Sequence, residues 1–426
     1  MKALFFFGTL LIGLLRWEFV VKAVEQKKIQ EIQIKEFDPK LIRVEIKNLP
    51  NPYATESASQ SPRVVDIPKD PILEVPKGFK VNVFAENLDE PRWLALTPSG
   101  DVLVTETRKN RILLLRDTNK DGVMDESEVF ADEKNGLNIP FGMAFTDDAF
   151  YVGNSDAVLQ WPFKKGQNRM EGKGEKIASL PGGGYRQHWT RNVRVSPDGK
   201  RLFVTIGSKS NADVEPLPRA SVQVMDLDGS NQETFAYGLR NPVGLDFHPI
   251  THEVYVTVNE RDELGNELVP DFFTRVKEGE FYGWPYAYLR PELLDPRHTR
   301  NGKSSQSDLV KETKTPDVLF EAHSAALGLA FYSGEAFPEK YRNGAFVAFR
   351  GSWNRSRGTG YKIVFVPFGK DNRPLGYYED FVRGFLIDPS IPKTWGRPVG
   401  ALVLPDGSLI FTEEPNGRIY RVRYES

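Results

Sequence analysis

The strongest constraint on this chain is a unit that returns six times: an apolar strand, a turn, then a second apolar strand. The first copy runs from Pro91 through a Pro-Ser-Gly turn to Glu106, and the second from Pro140 through Thr-Asp-Asp to Asn154. The third pairs Val193-Arg-Val with Leu202-Phe-Val-Thr-Ile around the turn Ser196-Pro-Asp-Gly. The fourth starts at Asn241, the fifth at Leu327 and the sixth at Pro398. Trp93, Gly142, Arg194, Gly244, Gly328 and Gly400 read as equivalent points. Most copies are followed by a further strand, such as Arg111-Ile-Leu-Leu-Leu or Tyr361-Lys-Ile-Val-Phe-Val. Three or four strands in about 50 residues, six times over, predict an all-β fold, a six-bladed β-propeller. The wider spacing of the later copies predicts insertions over one face, where propellers carry their sites.

The repeat occupies residues 72–426; residues 24–71, charged and then rich in Pro and Ser, read as a linker or irregular extension wrapping the domain. Residues 1–23 read as a signal peptide or a short anchor. An apolar run from Ala3 to Leu15 is too short for an ordinary membrane span, and Val20-Val-Lys-Ala23 supplies small residues near a cleavage point. Arg16 and Glu18 interrupt that path. The expected location is periplasmic or secreted, with no membrane span beyond a possible N-terminal anchor. A net charge of -2 gives no reason to expect a nucleic-acid or anionic-membrane partner. The absence of cysteine excludes disulfides, thiolate metal sites, cysteine nucleophiles and covalent haem attachment.

Four stretches carry chemistry. The glycine run 182–184 leads into His188, one of five histidines, just ahead of a strand, where an imidazole can accept a proton at neutral pH. Arg240 and Asn241 hold the same place ahead of the fourth copy. Residues 117–128 match a twelve-residue calcium loop, with Asp117, Asn119, Asp121, Asp125, Glu128 and the Val123 carbonyl as ligands and Gly122 at the turn. Strands flank it, so the expectation is a structural calcium loop between strands, or else an acidic surface turn. Residues 259–271, Asn-Glu-Arg-Asp-Glu-Leu-Gly onward, are acidic and rich in carbonyls, suited to a hard cation.

His188 with its Ser-Pro-Asp-Gly turn, Gly-Leu-Arg240-Asn241-Pro-Val-Gly, Asn259-Glu-Arg-Asp-Glu-Leu-Gly, Tyr282-Gly-Trp-Pro, Gly351-Ser-Trp-Asn-Arg355 and Gly396-Arg397-Pro-Val together resemble the soluble quinoprotein glucose/sorbosone dehydrogenases. The sorbosone dehydrogenase-like branch is the nearer one. The resemblance implies pyrroloquinoline quinone (PQQ) held with calcium at the mouth of a six-bladed propeller, and oxidation of a sugar or related alcohol or aldehyde. It implies His188 as general base and Arg240, Asn241 and Arg397 as quinone contacts. A tricarboxylate quinone needs several fixed cations, and arginine binds carboxylate in a matching fork. Where the glucose enzymes place a lysine, this chain offers Arg350, Asn354 or Arg355. Their second late arginine falls near Trp395, for which Arg92 is the replacement, and His323 is a further candidate facing the quinone. The calcium-binding carbonyls would fall around Arg261 and Asp262. Electrons would leave to a separate acceptor. The alternatives are a non-enzymatic envelope propeller that binds or scaffolds, and a calcium-dependent lactonase-type hydrolase.

Overall fold

The computed structural model describes residues 29–425; the expected signal peptide or anchor, residues 1–23, lies outside them. The described residues are all-β, with helix only as 3-10 turns of three or four residues. No helix among them is long and apolar enough to cross a membrane.

Six sheets of four or five strands follow one another along the chain. Their first strands are Pro91–Leu96, Met143–Phe145, Val193–Val195, Asn241–Phe247, Ala326–Phe331 and Pro398–Val403, each paired antiparallel with the next strand in sequence. Second strands such as Gly344–Phe349 are buried along their whole length, as expected of strands covered on both faces. The sixth sheet takes its outer strand, Phe79–Ala85, from the start of the domain, antiparallel to Arg418–Tyr424 at its end.

Neighbouring sheets meet through their first strands. The backbone N–H of Trp93, Asn192, Gly244 and Gly400 donates to Thr105, Thr205, Thr257 and Thr412 on the second strand, at 2.9, 3.1, 2.8 and 2.7 Å. Thr257 Oγ1 then donates to the Leu327 carbonyl of the fifth sheet, and Thr412 Oγ1 to the Arg92 carbonyl of the first, each at 2.8 Å. A Cβ on Gly244, Gly328 or Gly400 would strike the backbone of the following sheet, so glycine is what permits the close approach. The equivalent point in the third copy is Asn192, two residues before the expected Arg194. Asn192 lies just ahead of the strand Val193–Val195, and a spacing of two residues leaves apolar alternation unchanged, so alternation does not fix that register. Arg194 instead reaches the Leu245 carbonyl and Asp246 at the sheet edge.

Trp93, Phe141, Val243, Leu327 and Val399, drawn from five copies of the repeat, pack in one apolar cluster where the first strands converge. Residues 29–71 lie along the sheets. Gln33–Phe37 runs parallel to Ile72–Pro76, Leu41–Ile42 extends the fifth sheet, and Arg63–Val64 pairs with Lys393–Thr394. Between them the chain crosses two loops. Thr55 Oγ1 accepts from the Asn266 N–H at 2.8 Å, the Gln60 N–H donates to the Trp353 carbonyl at 2.7 Å, and Asn354 Nδ2 donates to the Ala58 carbonyl at 2.6 Å.

Candidate active site

Val243 and Leu327 of that central cluster also line a cavity of about 480 Å³. Its polar wall comes from residues at or near the starts of the first strands and just past the ends of the second, in the first, third, fourth, fifth and sixth sheets. Arg92, His188, Arg240, Asn241, Asp262, His323, Arg350 and Arg397 all face it, together with Glu414, Trp189 and Trp353.

One half of the wall is an arginine cluster, Arg92 and Arg397 buried and Arg350 half-buried. Arg92 Nη1 donates to one oxygen of Glu414, and Arg350 Nε to the other at 2.6 Å. Arg397 has no carboxylate of its own: it donates to the Arg350 and Gly351 carbonyls, both at 3.1 Å. Burial, and then Arg350, push Arg397 down to about 9, and burial also lowers Arg92. Burial alone would raise Glu414, but Arg92 and Arg350 overcome it and pull the carboxyl down to about 2. The adjacent Glu413 is pushed up to about 8 by burial and bonds the Arg397 and Asn416 N–H groups rather than a guanidinium. Three guanidiniums thus share one ionised carboxylate, and two positive charges are left over in a site that disfavours them. Arg92 Nε is buried without a partner, and its guanidinium lies 4.9 Å from the centre of the Trp189 ring.

The other half centres on His188, whose Nδ1 lies 3.0 Å from Ser208 Oγ. Burial, and then Arg240, push its pKa down to about 3, so the imidazole is neutral at physiological pH. Arg191 grips the His188 and Pro181 carbonyls at 2.8 Å each, fixing the start of the glycine run against the histidine. Arg240 donates to the Asn211 carbonyl at 3.1 Å, the Glu260 carbonyl at 2.7 Å and Asp262 at 3.0 Å. Asn241 Oδ1 is buried with no partner. Asp262 also meets His323 Nδ1 at 3.3 Å, and His323 Nε2 meets the Gly265 carbonyl at 3.0 Å. A carboxylate at one nitrogen and a carbonyl at the other require two N–H donors, so His323 is an imidazolium. Burial opposes this charge, but the Asp262 hydrogen bond outweighs it and raises the pKa. Its ring borders the cavity, yet both N–H groups are spent on protein oxygens.

The arginine cluster and the partnerless Arg92 Nε, a donor, fit a polycarboxylate. The residues around Arg261 and Asp262 do not fit a calcium ion. The Asn259 and Glu260 carbonyls already accept from Arg240, and the Asp262 carbonyl from Arg261 Nε at 3.0 Å and Asn211 Nδ2 at 3.2 Å. Arg261 itself is buried on Asp295, outside the cavity. Guanidinium groups thus take the carbonyls that a cation would need. In residues 117–128, Asp117 and Asp121 accept from backbone N–H groups of the loop itself. Asp125 accepts from Thr118, Asn119 bonds Asp121, the Val123 N–H is held by Asp121, and Glu128 pairs with Arg116 at 2.8 Å. Among the described residues no three histidine or carboxylate side chains are gathered closely enough to hold a metal. Arg355 points away from the cavity, to Glu267 and the Asn266 carbonyl, while Asn354 supports the Glu263 N–H.

The sequence assigns no role to Glu414, Ser208 or Asn211, and Trp353 stands in it only as part of the Gly351–Arg355 motif. Glu414 directly follows the Thr-Glu that closes the sixth copy, and a second glutamate there was the available signal.

An uncharacterized protein of Borreliella burgdorferi is 31% identical over 365 residues, which cover 83% of this chain and 91% of that one. A pyrroloquinoline quinone-dependent pyranose dehydrogenase of Coprinopsis cinerea is 24% identical over 336 residues, covering 69% of this chain but only 45% of that protein. A calcium structure of a Trichoderma reesei carbohydrate-active enzyme of family AA12 superposes with a TM-score of 0.70 at 17% identity, covering 90% of this chain and 99% of that one. The model of the TrAA12-like family matches residues 73–286 and 292–425. The chain belongs to the TrAA12-like family.

Proposed function

We propose that the six sheets are the blades of a six-bladed β-propeller and that the chain is a PQQ-dependent dehydrogenase oxidising a sugar or a related alcohol or aldehyde. One observation carries the reading: a neutral imidazole and an arginine cluster with two uncovered positive charges face the same cavity. Arg92, Arg350 and Arg397 would hold carboxylates of the quinone, and Arg240 and Asn241 its oxygen-bearing edge. When bound, PQQ supplies the acceptor for the hydride that leaves the substrate carbon. His188 takes the proton from the substrate hydroxyl, and the Arg240 guanidinium offsets negative charge that develops beside it. Trp189 and the apolar base of the cavity, Val243 and Leu327, exclude water from the reacting atoms. The apolar N-terminal run supports export to the periplasm or medium, and electrons pass to a separate acceptor. His188→Ala should abolish turnover while PQQ still binds; a variant that keeps its turnover would remove histidine from the mechanism.

A further inference from the structure

A histidine can serve as base only through a nitrogen that carries a lone pair, and the hydrogen bond at the other nitrogen decides which one that is. The partner of a basic histidine is often a carboxylate. Here it is a serine hydroxyl, which can donate or accept, so its own commitments settle the matter.

Ser208 is fully buried, and its Oγ lies 2.6 Å from the Ser210 carbonyl oxygen. A carbonyl only accepts, so the Ser208 hydrogen is spent there. Towards His188, Ser208 Oγ is left with lone pairs alone, and at 3.0 Å it must accept from Nδ1–H. The turn is pinned from both sides. The His188 N–H donates to the Ser208 carbonyl at 3.2 Å, and the Ser208 N–H to the Arg240 carbonyl at 2.8 Å. Ser210 donates to Glu215 Oε1 from its N–H at 2.6 Å and its hydroxyl at 2.7 Å, while the Lys209 N–H donates to Oε2 at 2.7 Å. Glu215 thus holds the carbonyl that holds the Ser208 hydrogen.

We propose that Ser208, with its turn locked by Glu215, is the positioning residue that keeps His188 in the Nδ1–H tautomer and leaves the Nε2 lone pair to the cavity. The proposal rests on the dehydrogenase reading for its catalytic use. In that reaction the substrate O–H bond breaks and its proton joins Nε2; the carbon loses hydride to the quinone and becomes a carbonyl. The opposite tautomer has its proton on Nε2 and no lone pair to offer there.

The test uses ¹⁵N-histidine NMR on the full chain without quinone, with the His188 signals assigned by their loss in His188→Ala. The expected result is a neutral ring with the proton on Nδ1; a proton on Nε2 in the wild type overturns the proposal whatever the activity. In the PQQ-loaded protein, Ser208→Ala should lower kcat at least tenfold, with KM and PQQ affinity within twofold of wild type, and should show mixed tautomers by NMR. Unchanged kcat with an unchanged tautomer would also overturn it. Failure of PQQ to bind would sink the dehydrogenase reading, and the catalytic use of Ser208 with it, while NMR still decides the tautomer.

Discussion

Glu414 is the carboxylate set among the buried Arg92 and Arg397 and the half-buried Arg350, so its replacement shows what the cluster is for. Glu414→Gln should destabilise the quinone-free protein by about 3 kcal/mol, because Arg92 and Arg350 lose their shared counter-charge. Added PQQ should then raise Tm more in this variant than in the wild type. The sign with pH follows from the lowered carboxyl: the pair contributes fully above the unfolded value near 4.5 and is lost as pH falls towards about 2. His188 behaves differently. In the quinone-free protein its ring should stay neutral from pH 8 down to 5, and an NMR midpoint near 6.5 would contradict the burial that holds it at about 3. His188, Arg240 and Arg397 could be singled out in the sequence because each stands at a fixed place in a repeat or motif. Glu414 and Ser208 could not, since their roles depend on which groups a folded turn brings to their oxygens. Arg261 shows the same limit: the loop's composition suited a cation, but not which way its carbonyls and guanidinium would turn.

At the scale of elements, the strand–turn–strand copies were legible because burial on both faces writes near-continuous apolar runs into the sequence. The extension was harder to read. Leu41–Ile42 and Arg63–Val64 are two-residue strands whose partners lie over 300 residues away, and no local periodicity marks them. Residues 55–60 bind the loops that carry Glu263, Asn266, Trp353 and Asn354. Asn354→Ala should therefore speed hydrogen exchange in residues 261–266 and 353–355 at least tenfold, and leave the 193–206 hairpin unchanged. Gly400→Ala tests how the sheets meet. Its Cβ would strike the Arg92 carbonyl, so it should cost about 1–3 kcal/mol and weaken PQQ binding, because Arg92 must shift.

Across the whole molecule, the six sheets meet in order, and Thr412 joins the last to the first. The convergent first strands make both the apolar plug and the charged cavity above it, so fold and site share residues such as Val243 and Leu327. The sequence implied calcium by resemblance, whereas the cavity presents arginine to the carbonyls that would have held it. The most direct test is to treat the protein with chelator, titrate it with PQQ by quenching of tryptophan fluorescence, and then add aldoses while following the quinone absorbance. Saturable one-to-one binding without calcium, followed by bleaching with a sugar, is the predicted result. Binding that appears only with calcium would contradict the arginine-filled cation site, and no binding under either condition would contradict the quinone site itself.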